Sequence, residues 1–135
     1  MQNSSSTSKP RILVIEPNVM LAKQLFSVLH ETYEVIVVRS AQAAVIAADK
    51  SKPDLVITEL QTADASVSGF LHEFRSYNEW RDIPVVLYTF SLQLPAPLKK
   101  ILHERFNVAL ILHKSHVTAT SLLSQLKNIA IQPAA

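Results

Sequence analysis

Apolar residues occur along this chain in two alternating textures: short unbroken runs, and longer stretches where they recur at every third or fourth position. Ile12-Leu13-Val14-Ile15 is the first run, and it meets Glu16-Pro17-Asn18, where proline ends a strand and Asn18 is suited to cap a helix. From Val19 to Glu31, Leu21, Leu25, Val28 and Leu29 make one helical stripe, with His30 as a solvated cap at its end. Glu34 to Arg39 holds the β-branched run Val35-Ile36-Val37-Val38, and Ser40 caps an Ala-rich helix from Ala41 to about Lys50. Pro53 precedes a third strand, Asp54 to Leu60, followed by a polar loop, Gln61 to Ser68, and a helix from Gly69 to about Ser76 that buries Phe70, Leu71 and Phe74. Ile83 to Thr89 reads as the fourth strand, and Pro95 and Pro97 open a helix with Leu98, Ile101, Leu102 and Phe106 inward. Asn107 is suited to a left-handed terminator, Val108 to Leu112 is a fifth strand, and Thr118 to Ile131 is a last helix facing inward through Leu122, Leu123, Leu126 and Ile129.

Five repeats of strand then helix, with apolar strands, predict an α/β fold: a parallel sheet covered on both faces and joined by right-handed crossovers. The expected architecture is a flavodoxin-like, doubly wound (βα)5 sheet of strand order 2-1-3-4-5. That order puts the ends of strands one and three at the switch point, with Glu16 and Glu59 as neighbours.

Composition narrows the function. The 135 residues, 48% of them hydrophobic and 18% charged, suit one domain, expected over 11–131 between a disordered Ser-rich tail at 1–10 and a short tail at 132–135. No apolar run approaches the roughly 20 residues of a membrane span, and the first residues lack the apolar core of a signal peptide, so a cytoplasmic location is expected. Cysteine is absent, which removes disulfides and thiolate metal sites. Gly69 is the only glycine, so the multi-glycine phosphate loops of nucleotide-binding folds are excluded. The net charge of +2 comes from scattered basic residues without a recognition motif, and nucleic acid is not an expected partner. No Ser-His-Asp order or nucleophile elbow is present.

The residues at the strand ends carry the most specific signal: Glu16-Pro17 after the first, Glu59 in the third, Thr89 in the fourth and Lys114-Ser115 after the fifth. In this order they resemble a bacterial response-regulator receiver domain over about Arg11 to Ile131. In that family the first strand ends in an acidic pair that holds Mg²⁺, the third in a phosphoacceptor Asp, the fourth in Thr or Ser, and the fifth in Lys followed by Pro. Phosphoryl transfer rests on positioning and charge neutralisation, and here both are altered. Pro17 offers no side-chain oxygen. Glu59 is longer than Asp by a methylene, a displacement of about 1 Å that can cost about 10²-fold. Gly69 matches the family's glycine after a loop that is two residues longer and lacks its usual Pro. Ile111 stands at the position of the aromatic whose rotation the family uses as a switch, and Ser115 replaces the usual Pro, leaving that peptide's geometry open.

The resemblance therefore implies a degenerate pseudo-receiver that acts in signal transduction by protein contact, is not an enzyme and needs no metal or other cofactor. No output domain follows in the sequence, so a stand-alone protein is expected. Its partner would be another signalling protein, a histidine kinase or an effector. The family's contact face, the fourth helix with the fifth strand and helix, would carry Lys99, Lys100 and Lys127. The alternative is a working phosphoacceptor receiver of a phosphorelay, using Glu59 or the loop acid Asp64 as substitute metal ligand. More modest roles stand beside these: a Glu59–Lys114 ion pair closing the sheet end with Thr89 as its hydrogen-bonding cap, a solvated or turn-forming Asp64, surface histidines at His113 and His116, Tyr77 and Trp80 covering the sheet edge, and a turn at Asp82.

Overall fold

A computed structural model describes residues 9–91, 94–129 and 131. The elements alternate as β1 (Arg11–Ile15), α1 (Val19–Leu29), β2 (Glu34–Val38), α2 (Ala41–Lys50), β3 (Leu55–Thr58), α3 (Val67–Phe74), β4 (Val85–Thr89), α4 (Ala96–Glu104), β5 (Val108–His113) and α5 (Ala119–Leu126). The five strands form one parallel sheet in the order β2-β1-β3-β4-β5, the order expected from the sequence.

Alternation along the strands divides the core between the two faces. Leu13, Ile15, Val56, Val85 and Leu87 point to the face covered by α2, α3 and α4, where Ala44, Leu71, Phe74 and Leu102 are buried. Ile12, Val14, Leu55, Ile57, Val86 and Tyr88 point to the other face, under Leu25 and Leu29 of α1 and Leu122 and Leu126 of α5. Asn18, Ser40, Ser66 and Thr118 cap α1, α2, α3 and α5, each side chain accepting from the backbone N–H three residues on. Asn107 takes φ 56° directly before β5, the left-handed conformation its short amide tolerates.

Several boundaries differ from the sequence expectation. α3 starts before Gly69 because Ser66, read as loop, supplies the cap. α5 ends at Leu126, where Asn128 and Ile129 donate three residues back to Gln125 and Leu126 and tighten the chain into turns. β2 and β5 are only partly buried because each lies at an edge of the sheet, whereas β3 and β4 are buried throughout. Trp80 does not cover a sheet edge. It is buried in a 3₁₀ turn, Asn78–Trp80, with its ring 5.0 Å from that of Phe74. The Arg75 guanidinium fastens this corner by donating to the carbonyls of Trp80 at 2.8 Å and Phe106 at 2.9 Å, and burial lowers its pKa while the charge of Asp82 acts in the opposite sense. The tail expected at 1–10 falls outside the described residues except for Lys9 and Pro10, and the one at 132–135 falls outside them entirely. The Pro10 carbonyl accepts from Glu34 N–H at 2.9 Å and so is tied to β2.

Gly69 sits within α3 with ordinary helical backbone, and an added Cβ would meet only Ser66 Oγ at 3.5 Å. Gly69→Ala is therefore expected to stabilise the fold by about 0.5–1 kcal/mol, since helical glycine carries that entropic cost without a compensating need for its flexibility. Urea unfolding of the two proteins measures this; a lower midpoint for the alanine variant contradicts it.

Candidate functional site

Register brings the acids together. Ile15 pairs with Thr58, so Glu16 and Glu59, the next residue on each strand, leave the sheet side by side, and Glu59 N–H donates to the Ile15 carbonyl at 3.1 Å. Farther along the sheet Thr89 pairs with His113, and Lys114 N–H donates to the Thr89 carbonyl at 2.8 Å, which fixes the root of the lysine side chain.

From that root Lys114 reaches back over β4 and places Nζ 2.8 Å from Glu16 Oε1 and 2.5 Å from Glu59 Oε2. The Lys114 and Glu16 side chains are each 3% exposed and that of Glu59 13%, so the three charged ends are almost fully withdrawn from water. The other oxygens are also engaged: Glu16 Oε2 accepts from Asn18 N–H at 3.0 Å and Glu59 Oε1 from Leu60 N–H at 2.5 Å. Each carboxylate is thus held by the ammonium at one oxygen and by a main-chain donor at the other, as buried charge requires. Aromatic faces close the lysine side: Nζ lies 4.8 Å from the centre of the Phe90 ring and 5.8 Å from that of Tyr88. The Tyr88 hydroxyl donates to the Val117 carbonyl at 2.5 Å, and its pKa is raised by burial and, secondarily, by the charge of Glu16.

This cluster differs from the one expected. The sequence predicts a Lys114–Glu59 pair, and the structure adds Glu16 as a second partner at 2.8 Å. The adjacency of strands one and three was the signal available for it. Thr89 does not cap the carboxylates, because its hydroxyl accepts from Ser91 N–H at 3.1 Å and only its carbonyl serves Lys114. Pro17 contributes its carbonyl, which accepts from Arg39 Nη2 at 3.2 Å.

Asp64 turns away from the cluster. Its carboxylate accepts from Ala41 N–H and Gln42 N–H, both at 3.0 Å, and from the Thr62 hydroxyl at 2.7 Å, so it pins the long loop to the N-terminus of α2. These bonds, Gln42 first, lower its pKa from 3.8 to about 2. His113 Nδ1 lies 2.8 Å from the Ser91 carbonyl, and its ring meets His116 edge-on with centroids 6.0 Å apart. Among the described residues no three His, Cys, Asp or Glu side chains gather where a metal ion could sit.

Ile111 pairs with Leu87 in register and, like Leu98, is partly buried against the cluster that contains Leu102. Lys99, Lys100 and Lys127 are all exposed. They do not make one basic group, since Lys99 and Lys100 lie on the first half of α4, while Lys127 follows the last turn of α5 on the opposite face of the sheet. The peptide between Lys114 and Ser115 is trans.

Mg²⁺ needs near-octahedral oxygen ligation, and this donor set does not fit it. All four carboxylate oxygens at the strand ends already have donors, Pro17 supplies no side-chain oxygen, and a lysine ammonium stands between the two acids.

No family model matches the chain, and no curated protein matches it. Solved structures do. The chain superposes on the chemotaxis response regulator CheY4 of Vibrio cholerae with a TM-score of 0.79 and 18% identity, covering 91% of this chain and 100% of the other. The Mn²⁺-bound form of response regulator Rcp1 gives 0.75 and 20%, covering 91% and 99%. A CheY-like response regulator receiver domain from Methylobacillus flagellatus gives 0.75 and 18%, covering 91% and 100%. The chain therefore has the CheY-like receiver fold.

Two outcomes test this geometry. Lys114→Met is expected to destabilise the protein by about 3 kcal/mol or more, because it leaves two buried carboxylates facing each other, and adding Glu16→Gln and Glu59→Gln should restore part of the loss. Urea unfolding reads both, and a single variant as stable as wild type contradicts the buried pairing. Asp64 bound at α2 stabilises the fold fully above its unfolded pKa near 3.8, and the contribution fades as pH falls toward about 2. The stability difference between wild type and Asp64→Asn should therefore be constant above that window and shrink within it; a difference independent of acid contradicts the cap.

Proposed function

We propose that this protein is a pseudo-receiver of the response-regulator kind, acting in signal transduction by protein contact without Mg²⁺-dependent aspartyl phosphorylation. The observation that carries this reading is the Lys114 ammonium held between Glu16 and Glu59, with both carboxylates otherwise satisfied by backbone donors. The Rcp1 structure is of a Mn²⁺-bound form, so this fold is compatible with a bound divalent cation. In this chain a side-chain cation neutralises the two acids at the carboxyl end of the sheet.

In the reading that uses Glu59 as phosphoacceptor, a nucleophilic oxygen must be free and a metal must share the developing charge. Both Glu59 oxygens accept from donors and Asp64 is bonded at the start of α2, which supports the first reading. Ile111 has no aromatic ring to rotate and no charge change to answer, so the surface formed by α4, β5 and α5 would hold one conformation, and binding of a kinase or effector there would be constitutive. Lys99 and Lys100 would contribute to that surface from α4 and Lys127 from α5. The protein would be a contact module and not a catalyst.

Two-dimensional NMR of the ¹⁵N-labelled protein, titrated with Mg²⁺ and then with Mg²⁺ and beryllofluoride, tests this. The expected outcome is no saturable shift at Glu16, Glu59, Ile111 or the α4 amides through millimolar Mg²⁺, with or without the phosphoryl analogue. Saturable shifts at Glu59 that spread to Ile111 and α4 would return the protein to the switching class.

A further inference from the structure

α1 carries two apolar stripes where a helix covering a sheet needs one. Leu25 and Leu29 face the sheet, with Leu21 and Val28 packed beside them. Val19, Ala22, Lys23 and Phe26 recur at i, i+3, i+4 and i+7 on an adjoining stripe and, with Val37 and Arg39, line a groove of about 390 Å³ between α1 and the edge strand β2. Val19 is 42% exposed and Phe26 46%. The Phe26 ring is stacked on that of His30 at 5.2 Å with an interplanar angle of 5°, which holds it in place at the groove. Among the described residues β2 pairs only with β1, and no further strand lies against this flank of the sheet.

The rim is basic. Neither Lys23 nor Arg39 forms an ion pair among the described residues, and Arg39 is oriented by the Pro17 carbonyl. A second copy docking by twofold symmetry would set these cations against themselves, which like-charge repulsion opposes. A flat anionic membrane would touch the two rim cations but leave the recessed apolar floor unfilled. A convex ridge with apolar side chains along its crest and carboxylates at its sides satisfies both features. The stripe from Val19 to Phe26 spans about 10 Å, two helical turns, which matches the i, i+3, i+4, i+7 anchors of another helix.

We infer that the α1–β2 groove docks an acidic amphipathic helix of a partner protein, apolar anchors on Val19, Ala22, Phe26 and Val37 and carboxylates toward Lys23 and Arg39. This surface lies at the β2 edge, away from α4 and β5, and its use does not depend on the state of Glu59.

The test uses the full ¹⁵N-labelled chain with a synthetic amphipathic helical peptide bearing leucine at i, i+3, i+4 and i+7 and glutamate on the flanks. A lysine-flanked twin and vesicles containing phosphatidylserine are the comparison arms. The glutamate peptide is expected to shift Val19–Phe26 and Val37–Arg39 saturably, and the lysine twin to bind about tenfold more weakly or worse. Lys23→Glu and Phe26→Ala should each weaken the glutamate peptide about tenfold. Melting curves verify that both variants fold; should Phe26→Ala fail to, the exposed Lys23→Glu decides. No saturable shift, shifts confined to other elements, equal binding of the twin, or the same shifts produced by the vesicles would each overturn the inference.

Discussion

A single buried ammonium holds the carboxyl end of this sheet together. Lys114 is the only cation in contact with Glu16 and Glu59 among the described residues, and removing it would leave two carboxylates side by side in a place water barely reaches. Burying three charged groups is costly unless each is paired and its remaining hydrogen-bonding capacity filled. That condition is met here by backbone donors from Asn18 and Leu60, which belong to the loops leaving β1 and β3. The ion cluster therefore fixes the loops as well as the side chains.

The cluster depends on reach as well as charge. Strands lie about 4.8 Å apart, so a side chain rooted after β5 must cross β4 to meet acids that follow β3 and β1. Lysine spans that distance, its Nζ ending 2.8 Å from Glu16 Oε1 and 2.5 Å from Glu59 Oε2.

Elsewhere the fold spends its polar side chains on anchoring. Asp64 ties the lengthened loop to α2, Arg75 ties α3 to the turn before β5, and Asn18, Ser40, Ser66 and Thr118 cap four helices. Val19 and Phe26 on α1 and Lys99 and Lys100 on α4 remain exposed.

Much of this was legible in the sequence because it rests on local chemistry. The alternation of β-branched runs with helical stripes determined the element order, and the absence of glycine loops and cysteine removed whole classes of function. The strand order followed from connection rules, and with it the adjacency of Glu16 and Glu59. What only the tertiary structure decided depends on direction and distance between residues far apart in sequence: that Lys114 serves two acids and not one, that Thr89 turns to Ser91, that Asp64 caps α2, and that Trp80 goes inward onto Phe74. Periodicity states which face of an element is apolar, but the target of a polar side chain is set by whichever unsatisfied donor or acceptor the fold brings within about 3 Å of it, and that is a property of the assembled chain.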